Sequence, residues 1–270
     1  MFAVVLGLLL SLSAWADTQS SPHLILYAFD AEGQLLSRQM TVQRTEKHLG
    51  RTVLVGQLSG KDVVLAESGV GTTNAAMTLQ RMIDVYHPQA VIFTGIAGAI
   101  DSSVHIGDIV VCREWIQHDY GYIGSVGFEP RGVNVYSPRP DSLVRMSHFE
   151  ADTALLRLAI AVRDGGLEFK SVGNRAPVFQ VGGVGVSGNT FIDSREKREW
   201  LSTTFHALIT DMESAAVAQV CVVNDLPFIV VRSASDLAGG SDSETAKEEL
   251  EAFFAVAAEN SARVVTALLR

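Results

Sequence analysis

Cysteine, positive charge and long apolar runs are all scarce in this 270-residue chain. Two cysteines, Cys112 and Cys221, are too few for a disulfide-built scaffold, and their spacing suits no metal cluster. Lysine and arginine number 21 against 30 aspartates and glutamates, a net charge of −9. A field of that sign repels phosphate backbones and anionic bilayers, so neither nucleic acid nor a membrane surface is expected as a partner. The glycine turn Ser68-Gly69-Val70-Gly71 lacks the Lys-Ser/Thr ending of a P-loop. Internal repeats and linkers are missing too. What is present is 47% hydrophobic and only 19% charged, which excludes a disordered chain and leaves enough apolar residues for a sizeable core.

The N-terminus stands apart. Residues 1–16, MFAVVLGLLLSLSAWA, carry no charged side chain and end in the small-x-small pattern Ala14-Trp15-Ala16. The run is shorter than the roughly 20 apolar residues that span a bilayer. It reads as a signal peptide cleaved after Ala16, followed by one domain over residues 17–270. A periplasmic or secreted protein is therefore expected, free of the membrane after cleavage. No cysteine follows the leader to take a lipid anchor.

Beyond the leader, strand and helix signals alternate. The patterning predicts strands at His23–Phe29, Ala90–Phe93, Ile109–Cys112, Pro177–Val186, Ala207–Ile209 and Phe228–Val231. Arg51–Gln57 and Asp62–Glu67 read as a hairpin around Leu58-Ser59-Gly60-Lys61. Apolar residues at helical spacing predict helices at Thr72–Tyr86, Ala151–Arg163, Glu213–Asn224 and Glu244–Leu269. Asp30-Ala31-Glu32 reads as an acidic helix start. The fold class is α/β with a central mixed sheet. Residues 117–150 look irregular, a long loop of the kind that serves as a lid or specificity segment.

Ligands of α/β sheets bind beyond the carboxyl ends of strands. Glu32, Asp211-Met212-Glu213 and Asp236 follow three predicted strands. Glycine turns follow two more, Ser68–Gly71 and Thr94–Gly98, and Phe191 follows another. Acids at sheet ends with close backbone approach suit a neutral, hydroxyl-rich ligand better than an anion. Each feature alone has a plainer reading, as a turn, a helix cap or a dipole partner. His118-Asp119 suggests a loop role, because adjacent residues rarely share one face.

Seven stretches then stand in one order: AFDAEGQLL (28–36), ESGVGTTNAA (67–76), TGIAG (94–98), GDIVV (107–111), SGNTFI (187–192), DMESAAVAQVC (211–221) and VVRSASDLA (230–238). In these the chain resembles the nucleoside phosphorylase and nucleosidase superfamily, most of all the methylthioadenosine/S-adenosylhomocysteine nucleosidases. The resemblance implies a three-layer α/β/α sandwich and hydrolysis of the N-glycosidic bond of an adenosine-type nucleoside. It also implies a homodimer, with residues 117–150 or their neighbours near the partner's pocket, and no metal or organic cofactor. By the same resemblance Glu32 deprotonates the attacking water, and Asp236, with Ser235 beside it, protonates the purine near N7. Glu213 accepts the ribose hydroxyls, Met212 packs under the sugar and Phe191 stacks on the base. The backbone of Ile192 reads the base edge, while Val70, Ala97 and Gly98 line the pocket. Ile96 departs from the pattern, which often has Ser or Thr there to hold the nucleophile. Phosphorylase branches place arginines near the first helix and the glycine turn, the clamp a dianion needs. Here no arginine lies within five residues of Glu32 or Ile96. Water is the expected nucleophile. A phosphate-dependent phosphorylase and a non-catalytic nucleoside-binding protein are the alternatives.

Overall fold

The structure is a computed structural model and describes residues 21–138 and 141–270. The expected signal peptide over residues 1–16 lies outside the described residues. The chain opens with β1 (His23–Tyr27), α1 (Asp30–Gln39), β2 (Thr41–His48), β3 (Arg51–Leu58), β4 (Lys61–Glu67), α2 (Thr72–Tyr86), β5 (Ala90–Ala99) and β6 (Ile109–Val111). Short strands follow: β7 (Glu114–Gln117), β8 (Gly121–Gly124), β9 (Gly127–Pro130), β10 (Val133–Ser137), β11 (Ser142–Met146) and β12 (Phe149–Glu150). The last part holds α3 (Thr153–Asp164), β13 (Phe179–Val181), β14 (Val184–Ser187), α4 (Arg195–Phe205), β15 (Ala207–Asp211), α5 (Ser214–Val223), β16 (Phe228–Asp236) and α6 (Ala246–Leu268).

A twelve-stranded mixed sheet organises the fold, with β1, β5 and β16 at its centre. Strand alternation sorts its side chains into two cores. Leu24, Leu26, Val91, Phe93, Phe228 and Val230 pack with Leu79 of α2 and Val217 of α5 on one face. Ile25, Ile92, Ile229 and Val231 pack with Leu36 of α1 and Val265 of α6 on the other. Burial on both faces explains why these strands read as continuous apolar runs. The result is the expected three-layer sandwich.

The sheet branches at β5. Strand β16 pairs with it in parallel from Val91 to Gly98 along one edge. On the other edge β1 pairs only as far as Phe93, and β15 joins antiparallel at Gly98 and Ala99. Between these partners the backbone around Ile96 is free to bond side chains. The site lies at this branch.

Several expectations need correction. The strand at Ala90–Phe93 does not end on a glycine turn. It runs through Thr94–Gly98 to Ala99, because β16 continues beside it. Likewise β16 reaches Asp236 rather than stopping at Val231. Pro177–Val186 is two strands, broken where Gly182 and Gly183 take φ of 120° and 76°. β13 then pairs with β6, and β14 with β7 and β15. Residues 117–150 are not one irregular loop, since they hold the hairpins β8–β9 and β10–β11. Phe128 of the first hairpin packs edge-on against Trp200 of α4. The edge strand β2 and helix α4 were not foreseen: β2 is exposed and polar, TVQRTEKH, and carries no core pattern. Cys112 and Cys221 are both free and buried.

Candidate active site

All ten residues singled out from the sequence line one cavity of about 710 Å³, including its open mouth. Glu32, Val70, Ala97 and Gly98 come from the β1, β4 and β5 ends. Phe191 and Ile192 come from the loop after β14, Met212 and Glu213 from the start of α5, and Ser235 and Asp236 from the end of β16. His118 and Asp119 are not among the residues lining it.

Glu32 belongs in the first turn of α1, where a carboxylate complements the helix dipole. Its Oε2 accepts the Ala28 N–H at 2.6 Å and the Phe29 N–H at 3.4 Å. Its Oε1 accepts the Ile96 N–H at 2.9 Å, the group left free at the branch of β5. Gly95 must be glycine here. A Cβ on it would fall 2.2 Å from Glu32 Oε1 and 2.1 Å from Arg232 Nη1.

Arg232 is the residue the sequence reading missed. It is fully buried in β16, and its guanidinium lies 4.1 Å above the Phe93 ring. Three carboxylates surround it: Asp211 Oδ2 at 2.8 Å from Nε, Glu213 Oε2 at 3.6 Å from Nη2 and Glu32 Oε1 at 3.7 Å from Nη1. Among the described residues, Nη1 has no hydrogen-bond acceptor. One sequence signal pointed to it: a lone charge inside the otherwise uncharged run FIVVRSAS. Burial works against the Arg232 charge, but Asp211, Glu32 and Glu213 together outweigh it and hold the guanidinium more firmly protonated.

Asp211 anchors this cluster. It accepts the Ser187 and Ser214 hydroxyls, the Arg232 guanidinium and the backbone N–H groups of Glu213 and Ser214. Those bonds fix the start of α5, whose N-cap is Glu213 rather than its first helical residue as expected. Glu213 Oε1 in turn accepts the Gly71 N–H at 2.7 Å.

One guanidinium cannot neutralise three carboxylates. Burial, first of all, raises the Glu32 carboxyl above its ordinary range, against the pull of Arg232. Burial and then the Asp211 charge push Glu213 up to about 7. Asp236 sits apart from the guanidinium, with Oδ1 on the Ala238 N–H at 2.9 Å and Oδ2 on the Ser235 hydroxyl at 2.8 Å. Burial pushes it up to about 6, more than those two bonds pull it down. The cavity thus holds Glu32 and Glu213 beside Arg232 at one side and the separate carboxyl of Asp236 at the other, all three raised by burial above their ordinary range.

The chain as a whole is similar to known proteins. Residues 22–270 match the family described as the Phosphorylase superfamily. The 5′-methylthioadenosine/S-adenosylhomocysteine nucleosidase of Colwellia psychrerythraea is 32% identical over 251 residues, covering 91% of this chain and 94% of the relative. The nucleosidase of the same name from Staphylococcus epidermidis is also 32% identical, covering 91% and 97%. In three dimensions the Neisseria meningitidis nucleosidase, solved with methylthio-immucillin-A, superposes with a TM-score of 0.75 at 27% identity, covering 92% of this chain and 98% of that one. The Helicobacter pylori futalosine hydrolase gives 0.75 at 26%, covering 92% and 97%. The cluster at the branch of β5 is thus set in a fold these proteins share, and the chain belongs to the phosphorylase superfamily.

Proposed function

We infer that the protein is a nucleosidase that hydrolyses the N-glycosidic bond of adenosine-type nucleosides, releasing free purine and sugar. The observation that carries this is the separation of acids within one cavity: Asp236 stands apart on Ser235 and Ala238, while Glu32 and Glu213 flank Arg232 on the other side. Departure of a purine leaves an oxocarbenium-like sugar and a basic nitrogen. Asp236 protonates the base near N7 as the bond breaks, Glu213 accepts the ribose hydroxyls, and the two anions stabilise the developing positive charge. Phe191 stacks on the base and the Ile192 backbone reads its edge, with Met212 beneath the sugar. Glu32 Oε1, which lies 3.7 Å from Arg232 Nη1, is the group we assign to hold the attacking water. It does so where Ile96 supplies no hydroxyl, and proton transfer to Glu32 turns the water into an attacking hydroxide.

Arg232 does not serve as the arginine clamp of a phosphorylase, because its charge is already shared among three carboxylates. A phosphate dianion there meets more negative than positive charge. Incubating the mature protein with methylthioadenosine, adenosine and inosine, with and without phosphate, decides the matter. Base release at equal rate without phosphate, and in the presence of a chelator, is the expected result. Strict phosphate dependence overturns hydrolysis, and binding without release overturns catalysis.

The proton inventory predicts the pH profile. The productive form carries a proton on Asp236 and none on Glu213. Acid protonates Glu213 below about 7, and base strips Asp236 above about 6. The product of the two fractions is a narrow bell, so kcat/KM should peak between pH 6 and 7 and fall about tenfold per unit outside it. A flat profile from pH 5 to 9 contradicts the assignment.

An apolar part of the cavity lining comes from Phe29, Val70 and Leu250. It suits an alkylthio group at the 5′ carbon better than a hydroxyl, which favours methylthioadenosine over adenosine. We further propose export and a homodimer. The support for the dimer is the β8–β9 hairpin, which leaves Ile123 78% and Val126 100% exposed. Sedimentation of the mature protein at twice the monomer mass, starting at Asp17, is expected.

A further inference from the structure

Helix α2 begins without a cap of its own. Its N-cap is Gly71, which has no side chain to accept the first N–H groups. Two residues from elsewhere in the chain take them. Glu213 Oε1 accepts from Gly71, as above, and Asn189 Oδ1 accepts from Thr72 at 2.9 Å. The Asn189 amide also donates Nδ2 to the Thr72 hydroxyl at 2.6 Å, which fixes which way the amide points. The Asn189 backbone N–H is held in turn by Asp119 Oδ2 at 2.8 Å.

This arrangement joins two walls of the pocket. Asn189 stands two residues before Phe191, the platform for the base. Thr72 stands two residues after Val70 and next to Gly71, which bonds the ribose acid Glu213. Asn189 therefore closes a chain of contacts from the base wall to the ribose wall, across residues 117 positions apart in sequence.

We propose that Asn189 is a positioning residue: by capping α2 from across the pocket it sets the distance between the Phe191 platform and Glu213, so that a ligand bearing both base and ribose is bound in preference to free base. This rests on the nucleoside reading of the pocket. Asp119 supports the clamp by accepting the Asn189 backbone N–H.

The test compares Asn189→Ala, Asn189→Asp and wild type in steady-state kinetics with methylthioadenosine, alongside adenine as a competitive inhibitor. In Asn189→Ala, KM should rise on the order of tenfold, the scale of a lost helix cap, with kcat changed less than about threefold. The adenine inhibition constant should barely move, because adenine spans only the base wall. Asn189→Asp should restore KM, since its carboxylate accepts from the Thr72 N–H and hydroxyl and suits a helix N-terminus. An unchanged KM, an equal rise in KM and in the adenine constant, or no rescue by Asp overturns the proposal. Thr72→Val removes one of the two bonds and should give a smaller KM rise; no rise there also counts against it. Failure of the nucleoside reading itself looks different, since wild type then releases no base at all.

Discussion

Asp236→Asn should lower kcat for methylthioadenosine by about 10²–10⁴-fold while nucleoside affinity stays within a few-fold of wild type. The amide keeps the size of the side chain and can still accept from Ala238, the contact that now holds Oδ1. What it loses is the proton for the departing base. A ribosyl donor with a leaving group that needs no proton, such as 4-nitrophenyl riboside, separates this role from a general disturbance. The variant should cleave it nearly as fast as wild type. Equal losses on both substrates would remove Asp236 as the acid. The fold should not suffer. Burial raises the folded-state pKa of Asp236 from 3.8 to about 6, so its contribution is full below pH 3.8 and is lost as pH rises toward 6. Above pH 6 wild type bears the cost of a buried charge that Asn avoids. The variant should melt no lower than wild type at pH 7.5, and calorimetry checks this.

Arg232→Met should abolish turnover and destabilise the fold by about 3–5 kcal/mol. Methionine fills much the same space over Phe93 but leaves Asp211, Glu213 and Glu32 buried without a counter-charge. The deficit should depend on pH in a definite direction. Glu32 and Glu213 already titrate above the ordinary range, and loss of the guanidinium raises them further. As pH falls they take up protons and the repulsion disappears. Urea unfolding at pH 5 and pH 8 should therefore show a smaller deficit at pH 5. Adding Asp211→Asn to the Met variant should recover part of the stability at pH 8, because the two sites are in contact and their effects do not add. A Met variant as stable as wild type at pH 8 contradicts the central place given to Arg232.

Much of the site was legible in the sequence for a physical reason. Glu32 sits in a helix first turn, Glu213 at a helix start, and Asp236 at the end of a buried strand. Each is a local pattern: an acid next to a dipole, or a polar residue closing an apolar run. The turn at Ser59-Gly60 and the helix Thr72–Tyr86 were legible likewise, from turn chemistry and from apolar spacing. Arg232 was not. Along the chain no arginine lies within five residues of Glu32, and Arg232 lies 200 positions away. It reaches Glu32 because β16 lies along one edge of β5 while β1 and β15 divide the other. Asn189 escaped notice for the same reason, since its partner Thr72 is on a different element.

By itself, then, the sequence determined the alternation of strands and helices, the two-faced burial of the central strands and the acids at their ends. These follow from side-chain periodicity and from the preferences of each residue's neighbours. Only the tertiary structure decided where β5 would branch, that one guanidinium would serve three carboxylates, and that α2 would be capped from across the pocket. Those outcomes depend on which strand edges remain unpaired after the sheet assembles, and on how many charges must share one buried space. Neither quantity exists until distant segments meet.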